Sequence, residues 1–150
     1  MRVLGLDYGE RRIGAALSDE LEVAAHPLPT IGQGEDVIEE IARLVAEREV
    51  GRIVVGLPLQ MDGTEGIQAR KVRGFAKRLR RRLPHVDVTT MDERLTTAQA
   101  HRALSEMGAG MRTRRADVDR MAAQIILQRH LDRAAAQRGV DGAEPPATPA

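Results

Sequence analysis

The sequence contains no cysteine among its 150 residues. Disulfide bonds, a thiol nucleophile and cysteine-ligated zinc or iron–sulfur sites are therefore excluded, and a metal would have to be bound through oxygen or imidazole. Hard cations such as Mg²⁺ or Mn²⁺ are the default for oxygen ligands. The sequence also lacks an apolar run of membrane-spanning length, and it opens with a strand-like segment in place of a signal peptide. We expect a soluble, unexported protein with no membrane partner.

A length of 150 residues with 42% hydrophobic content suits one compact domain and leaves no room for a second. We expect this domain over residues 1–136 and a disordered tail over residues 137–150, where Gly, Pro and Ala accumulate. Any active site must then lie on this single fold.

The formal net charge of +1 conceals an uneven distribution of charge. Residues 70–82 include eight basic side chains and no acidic one, whereas residues 35–49 include six acidic side chains. A further basic cluster contains Arg112, Arg114, Arg115 and Arg120. This asymmetry favours a polyanionic partner such as nucleic acid, although a basic run is also typical of a solvated helix face.

Hydrophobic periodicity predicts three strands followed by alternating helices and strands. We expect strands at 2–8, 12–18, 23–31, 52–56 and 86–91, and helices at about 37–50, 72–83, 96–107 and 116–136. Pro27 and Pro29 confine the third strand to an edge or a loop. The order fits an α/β fold, in which a three-stranded antiparallel meander continues into parallel strands as one mixed five-stranded sheet with helices packed on it.

Asp7 ends the first strand, directly after an apolar run that should be buried on both faces. A carboxylate in that position must be paired or bound to metal, because an unpaired buried charge is very costly. Gly5 and Gly9 leave room for close approach. The alternative is an aspartate that caps the hairpin turn, since Asp near Gly is a common turn signal.

Asp119 lies near the start of the last predicted helix, four residues before Ala123 and seven before Ile126. These steps place it on the helix face that should pack against the sheet. Asp117 and Asp119 are also suited to a helix N-terminus for electrostatic reasons. Spacing alone does not decide which of the two faces inward, but the run Met121-Ala122-Ala123 favours Asp119.

Glu93 follows the last predicted strand, between Asp92 and Arg94. A mixed sheet could bring this strand end close to Asp7 and Asp119, and converging carboxylates beside a basic surface suit two-metal phosphodiester chemistry. Two Mg²⁺ or Mn²⁺ ions would need only a few protein carboxylates. A surface ion pair involving Asp92, Glu93 and Arg94 explains the spacing nearly as well.

Four motifs, in order along the chain, give the sequence a recognisable signature. They are Gly5-Leu6-Asp7-Tyr8-Gly9, Gly56-Leu57-Pro58, Asp92-Glu93-Arg94-Leu95-Thr96-Thr97 and Asp119-Arg120-Met121-Ala122-Ala123. Over about residues 1–135 the chain resembles the YqgF/RuvX family of pre-16S rRNA nucleases, which are also described as Holliday-junction-resolvase-like. The resemblance implies an RNase H-like fold, a cytoplasmic location and divalent-metal nuclease activity in maturing the 5′ end of the small-subunit rRNA precursor, with the ribosomal precursor particle as a further partner.

Carried over residue by residue, the family's acidic site falls on Asp7, Glu93 and Asp119, with Asp92 and Arg94 in supporting positions. We expect these three acids to be both catalytic residues and metal ligands. Nucleic-acid contacts are expected from two sets of arginines, Arg78, Arg81 and Arg82 on a helix and Arg112, Arg114 and Arg115 in a flexible loop.

Several alternatives stay open at the level of sequence. An actin-like or sugar-kinase-like phosphotransferase also opens with a strand bearing Asp-x-Gly, but it needs two domains around its nucleotide. A catalytically silent nucleic-acid-binding module would keep the basic helix and use the acids only locally. RNA and a DNA junction are not distinguished as substrates, nor are endonuclease and exonuclease action, or monomer and dimer.

Overall fold

The computed structural model describes residues 1–93 and the helix over 115–142, with side chains of that helix described from Met121 to Gly139. Within these ranges, the elements in chain order are β1 (Arg2–Tyr8), β2 (Arg12–Ser18), β3 (Ala25–Gly32), α1 (Val37–Glu47), β4 (Val50–Leu57), α2 (Ile67–Arg82), β5 (Asp87–Asp92) and α3 (Arg115–Gly142). No helix in these ranges is long and apolar enough to cross a membrane.

The five strands form one sheet in the order β3-β2-β1-β4-β5. β1, β2 and β3 pair antiparallel, while β1 with β4 and β4 with β5 pair parallel. The prediction of an antiparallel meander joined to parallel strands is thus confirmed. Because β1, β4 and β5 run in the same direction, their carboxyl ends lie together at one end of the strands. We call this end of the sheet the upper edge.

Helices cover both faces of the sheet, and the alternation of side chains along β1 shows which residues face which helix. Leu4 and Leu6 belong to the larger core beneath α1 and α2, whereas Val3 packs in the second core with α3. Tyr8 lies on the same face as Leu4 and Leu6, since the centre of its ring lies 4.8 Å from the centre of the Phe75 ring on α2. By the two-residue period of a strand, Asp7 belongs to the α3 face.

Gly5 allows α3 to lie directly on β1. A Cβ atom built on Gly5 would lie 2.7 Å from Leu127 Cβ, closer than real Cβ contacts allow, and 3.3 Å from the Ala123 carbonyl oxygen, which is a tight contact. The buried side of α3 is accordingly formed by Ala123, Ile126 and Leu127, none more than 1% exposed. The helix therefore approaches the sheet along the strand that ends in Asp7.

Most predicted elements are confirmed, with shifted boundaries. β3 is an edge strand, as its two prolines indicated. α2 begins at Ile67, five residues before the first member of its predicted apolar stripe, and Gly66 adopts the extended N-cap conformation. α3 continues to Gly142, so residues 137–142 are helical, a correction to the predicted tail; Gln137 and Arg138 are helix-compatible residues. The predicted helix over 96–107 and the loop at 110–115, apart from Arg115, lie outside the described residues.

Candidate active site

Glu93 directly follows β5, and its side chain points into the protein. Its backbone N–H donates to the Leu57 carbonyl oxygen (3.1 Å), which extends the β4–β5 pairing by one residue. The side chain is only 7% exposed. Interpretation as a surface ion pair is therefore wrong for Glu93, because its carboxylate is buried against the sheet.

Gly56 provides the space into which the Glu93 carboxylate extends. A Cβ atom built on Gly56 would overlap Glu93 Oε2 and lie 2.5 Å from Ile126 Cδ1 of α3. β4 lies between β1 and β5 in the sheet, so a side chain from β5 must cross β4 to approach Asp7. The missing side chain at Gly56 makes this crossing possible.

Glu93 and Asp7 form a pair of carboxyl groups beneath α3. The pKa of Glu93 is raised to about 8, first by burial, then by the charge of Asp7, a hydrogen bond with Asp7 and the charge of Asp92. Asp7 itself is half-buried at the end of β1, opposite Gly14 of β2. Two carboxyl groups this close cannot both be charged without cost, so at neutral pH the pair shares a proton in the absence of a cation.

Asp92 points away from this pair, although it is the neighbour of Glu93 in sequence. It lies opposite Leu57 in the β4–β5 register, while Met91 lies opposite Gly56. Leu57 packs in the core under α2 and Met91 packs with α3, so the strand alternation places Asp92 on the face away from Asp7. Asp92 is also exposed.

The remaining predicted site residues are described only in part. Asp119 and Asp117 lie on α3 and Arg115 is its first residue, but their side chains are outside the described part of the chain, as are Arg94, Arg112 and Arg114 entirely. The choice between Asp117 and Asp119 therefore stays a prediction. Among described side chains, no three His, Asp or Glu groups lie close enough together to hold a metal ion.

The paired carboxyl groups fit a hard divalent cation. Their oxygen atoms are ligands that Mg²⁺ and Mn²⁺ prefer, and the sequence has no cysteine that would favour a softer metal. A cation between Asp7 and Glu93 would also offset the repulsion that raises the pKa of Glu93.

The arginines predicted to contact nucleic acid on α2 lie toward the other end of the sheet. Arg80 Nε donates to the Val88 carbonyl oxygen (3.1 Å), which places the last turn of α2 beside the start of β5. Glu93 is at the far end of that strand, roughly 17 Å away at 3.3 Å per residue. Arg78 and Arg81 are exposed, whereas Arg82 forms an ion pair with Glu39 (2.7 Å).

Sequence reasoning did not find the role of Gly56, although Gly56-Leu57-Pro58 was noted as a motif. The signal was present as a glycine interrupting a run of buried residues, Ile53, Val54 and Val55. Such a glycine often marks a close approach by another group. Which group approaches depends on the neighbouring strand, and this is not visible along the sequence.

Comparison with known proteins gives a consistent result. The family model described as "RuvX: Holliday junction resolvase" matches residues 1–133. A protein of Syntrophus aciditrophicus, provisionally named a pre-16S rRNA nuclease, is 50% identical over 134 residues, covering 88% of this chain and 89% of the relative. A protein of Acetivibrio thermocellus with the same name is 44% identical over 135 residues, covering 88% and 96%.

Two resolvases are among the solved structures with a similar fold. Thermus thermophilus RuvC in complex with a Holliday junction substrate superposes with a TM-score of 0.58 at 15% identity, covering 90% of this chain and 96% of RuvC. The fowlpox virus resolvase, in complex with Holliday junction DNA, gives 0.57 at 8% identity, covering 89% and 99%. At these identities the similarity concerns the fold, which is RNase H-like.

Proposed function

We propose that this chain, which belongs to the RuvX family, is a metal-dependent nuclease that cuts the precursor of 16S rRNA near the 5′ end of the mature molecule. The observation that carries the proposal is the pairing of half-buried Asp7 with buried Glu93 at the upper edge of the sheet. The substrate is inferred from the names of two relatives that are 44% and 50% identical to this chain. Cleavage of ribosomal precursor RNA, as a free molecule or in its particle, would take place in the cytoplasm.

Asp7, Glu93 and Asp119 would hold the metal, as two ions of Mg²⁺ or Mn²⁺. When bound, these ions would supply an activated water nucleophile and stabilise the charge on the leaving oxygen. Asp7 contributes a carboxylate from a strand that is fixed by neighbours on both sides. Glu93 contributes a carboxylate that is shielded from solvent, and it must give up its proton to act as a ligand.

The backbone of α3 supports Asp119 as the third acid. Ala123 lies against Gly5, and Asp119 is one helical turn, about 6 Å, before Ala123. Asp7 is two strand residues, about 7 Å, beyond Gly5. His130 is near Arg52 at the start of β4, and Ile126 is near Gly56 at its end, so α3 runs from the upper edge downward. This course of the helix backbone supports Asp119 as the third acid beside Asp7.

Arginines would hold the RNA by its phosphates without reading its sequence. We propose Arg78, Arg81 and Arg82 on α2, together with Arg112, Arg114 and Arg115 ahead of or at the start of α3. Because Arg82 already pairs with Glu39, Arg78 and Arg81 are the stronger candidates on α2. A strand of RNA would have to extend roughly 17 Å from the pair of Asp7 and Glu93 to reach the last turn of α2.

A DNA four-way junction is the alternative substrate, favoured by the description of the family model and by the fold shared with RuvC. Pure protein should be given, side by side, an RNA spanning the 5′ end of 16S rRNA and a four-way DNA junction, each in Mg²⁺, Mn²⁺ or Ca²⁺. We expect RNA cleavage in Mg²⁺ or Mn²⁺ and not in Ca²⁺, which prefers longer bonds and looser coordination. Cleavage of the junction alone would favour the alternative, and cleavage of neither would contradict the proposal.

A further inference from the structure

Residues 58–66 form a loop that begins beside the acidic pair. The loop leaves β4 at Leu57, whose carbonyl oxygen is the acceptor for the Glu93 N–H. It returns to the helix α2 at Gly66, which packs against the side chain of Gln60. The loop therefore stands at the upper edge of the sheet, where the scissile phosphate would lie.

The loop is ordered by its own hydrogen bonds. Gln60 N–H donates to the Thr64 carbonyl oxygen (2.8 Å), and Gly63 N–H donates to the Gln60 carbonyl oxygen (2.7 Å). The Thr64 N–H and hydroxyl lie 3.0 and 2.6 Å from Asp62 Oδ1. Gly63 has a φ of 88°, which favours glycine. This turn holds the residue at its tip, Met61, in a defined place.

Two large apolar side chains are presented to solvent here. Met61 is 90% exposed and Ile67, the first residue of α2, is 74% exposed. Leu21, which is 80% exposed, lies at the opposite edge of the sheet, in the turn between β2 and β3. Single exposed apolar residues are common, but Met61 on an ordered loop and Ile67 at the start of the next helix both lie toward the proposed cleavage site, where they can contact a substrate.

We propose that Met61 packs against a nucleobase adjacent to the phosphodiester that is cut, with Ile67 supporting the same contact. This inference rests on the proposed nuclease function. An uncharged thioether does not attract phosphate, whereas the faces of bases are the apolar surface that nucleic acid offers. Met, Leu and Ile insert between base steps in known complexes and unstack them. Met also adapts its shape, so the contact would accept any base.

Met61→Ala is the test, with Leu21→Ala as the matched control and Met61→Leu as the conservative variant. The probe is an RNA spanning the 5′ end of 16S rRNA, with 2-aminopurine as the base next to the cut, and binding is measured in Ca²⁺ at several salt concentrations. We expect Met61→Ala to bind about tenfold more weakly. The slope of log affinity against log salt should not change, because no charge is removed.

Wild-type protein and Leu21→Ala should raise 2-aminopurine fluorescence on binding, because the base leaves its stack. Met61→Ala should raise it less, and Met61→Leu should resemble wild-type protein. Equal affinity and fluorescence for Met61→Ala and Leu21→Ala would overturn the inference. A changed salt slope in Met61→Ala would overturn it too, since the loop would then act through phosphate contacts. Wild-type protein that neither binds nor cuts the RNA would contradict the proposed function itself, a result visible before any variant is made.

Discussion

A cation would stabilise the pair of Asp7 and Glu93, because the two carboxyl groups repel each other and Glu93 is shielded from solvent. A ligand that binds the folded protein alone raises its stability by mass action. We expect Mn²⁺ at a hundredfold excess over its dissociation constant to raise the melting temperature of the wild-type protein by about 5 to 10 °C. Asp7→Asn, Glu93→Gln and Asp119→Asn should remain folded without metal and lose most of this increase.

Asp92→Asn is the matched control, because Asp92 neighbours Glu93 in sequence but lies on the other face of the sheet. It removes one negative charge, as the other variants do, and should keep most of the Mn²⁺ effect. Thermal unfolding with and without Mn²⁺ makes the comparison. Equal metal stabilisation in all of these variants would show that the cation binds elsewhere.

The raised pKa of Glu93 also makes the metal-free protein sensitive to pH. Its pKa is about 8 in the folded protein, against 4.5 for an unperturbed glutamate. Between these values the folded protein binds more protons than the unfolded chain, so the free energy of unfolding falls as pH rises from about 4.5 to about 8. The loss should be on the order of a few kcal/mol, since one pKa unit corresponds to roughly 1.4 kcal/mol.

Urea unfolding in a chelator at several pH values measures this dependence. The Glu93→Gln variant has no titratable group at position 93, so its free energy of unfolding should lack the fall with pH that Glu93 causes. It should therefore become more stable than the wild-type protein toward pH 8. Parallel losses of stability in the two proteins would contradict the placement of Glu93.

At the level of elements, the site depends on how closely α3 and the Glu93 side chain pack over β4. Gly56→Ala would place a Cβ atom against both the Glu93 carboxylate and Ile126 Cδ1. We expect it to lower the free energy of unfolding by about 1 to 3 kcal/mol and to weaken cleavage through displacement of Glu93.

Gly74→Ala is the matched control, because a Cβ atom on Gly74 of α2 would meet nothing within 4 Å. This change should stabilise the protein by about 0.5 to 1 kcal/mol, since glycine is unfavourable inside a helix. Urea unfolding and cleavage rates test both variants. A Gly56→Ala protein with wild-type stability and activity would show that Glu93 does not need the space over Gly56.

The strands could be predicted because their signal is local. β1 and β2 have the bounds that alternation and the turn at Gly9 indicated. The preference for Glu93 over Asp92 came from the family resemblance, because the face on which each residue lies depends on the pairing of Leu57 with Asp92 across two strands. The position of Asp7 beside Glu93 is likewise set by sheet order, with β4 inserted between β1 and β5. Sequence periodicity shows which residues of one strand lie on the same face. Which residues of other strands lie beside them is known only from the strand order of the fold.

At the scale of the whole molecule, the basic surface formed by Arg78 and Arg81 lies apart from the pair of Asp7 and Glu93. Nucleic-acid binding and cleavage can therefore be altered by different substitutions. Arg78→Glu with Arg81→Glu should weaken RNA and DNA ligands alike. Each phosphate that these arginines no longer neutralise should lower the slope of log affinity against log salt by about 0.7 to 0.9. The matched control is the double variant Arg133→Glu with Arg138→Glu, at two arginines that are exposed on α3. It makes the same change of net charge and should reduce affinity and salt slope less. Equal effects of both double variants would show that only net charge matters.

The central claim is that Asp7 and Glu93 cut RNA by holding divalent cations, and the most direct measurement is the cleavage rate of pure protein on an RNA spanning the 5′ end of 16S rRNA. We predict cleavage in Mn²⁺, its loss in a strong chelator, and rates lower by about 100-fold or more for Asp7→Asn and Glu93→Gln. Cleavage by wild-type protein that persists in the chelator, or wild-type rates in both folded variants, would contradict the claim.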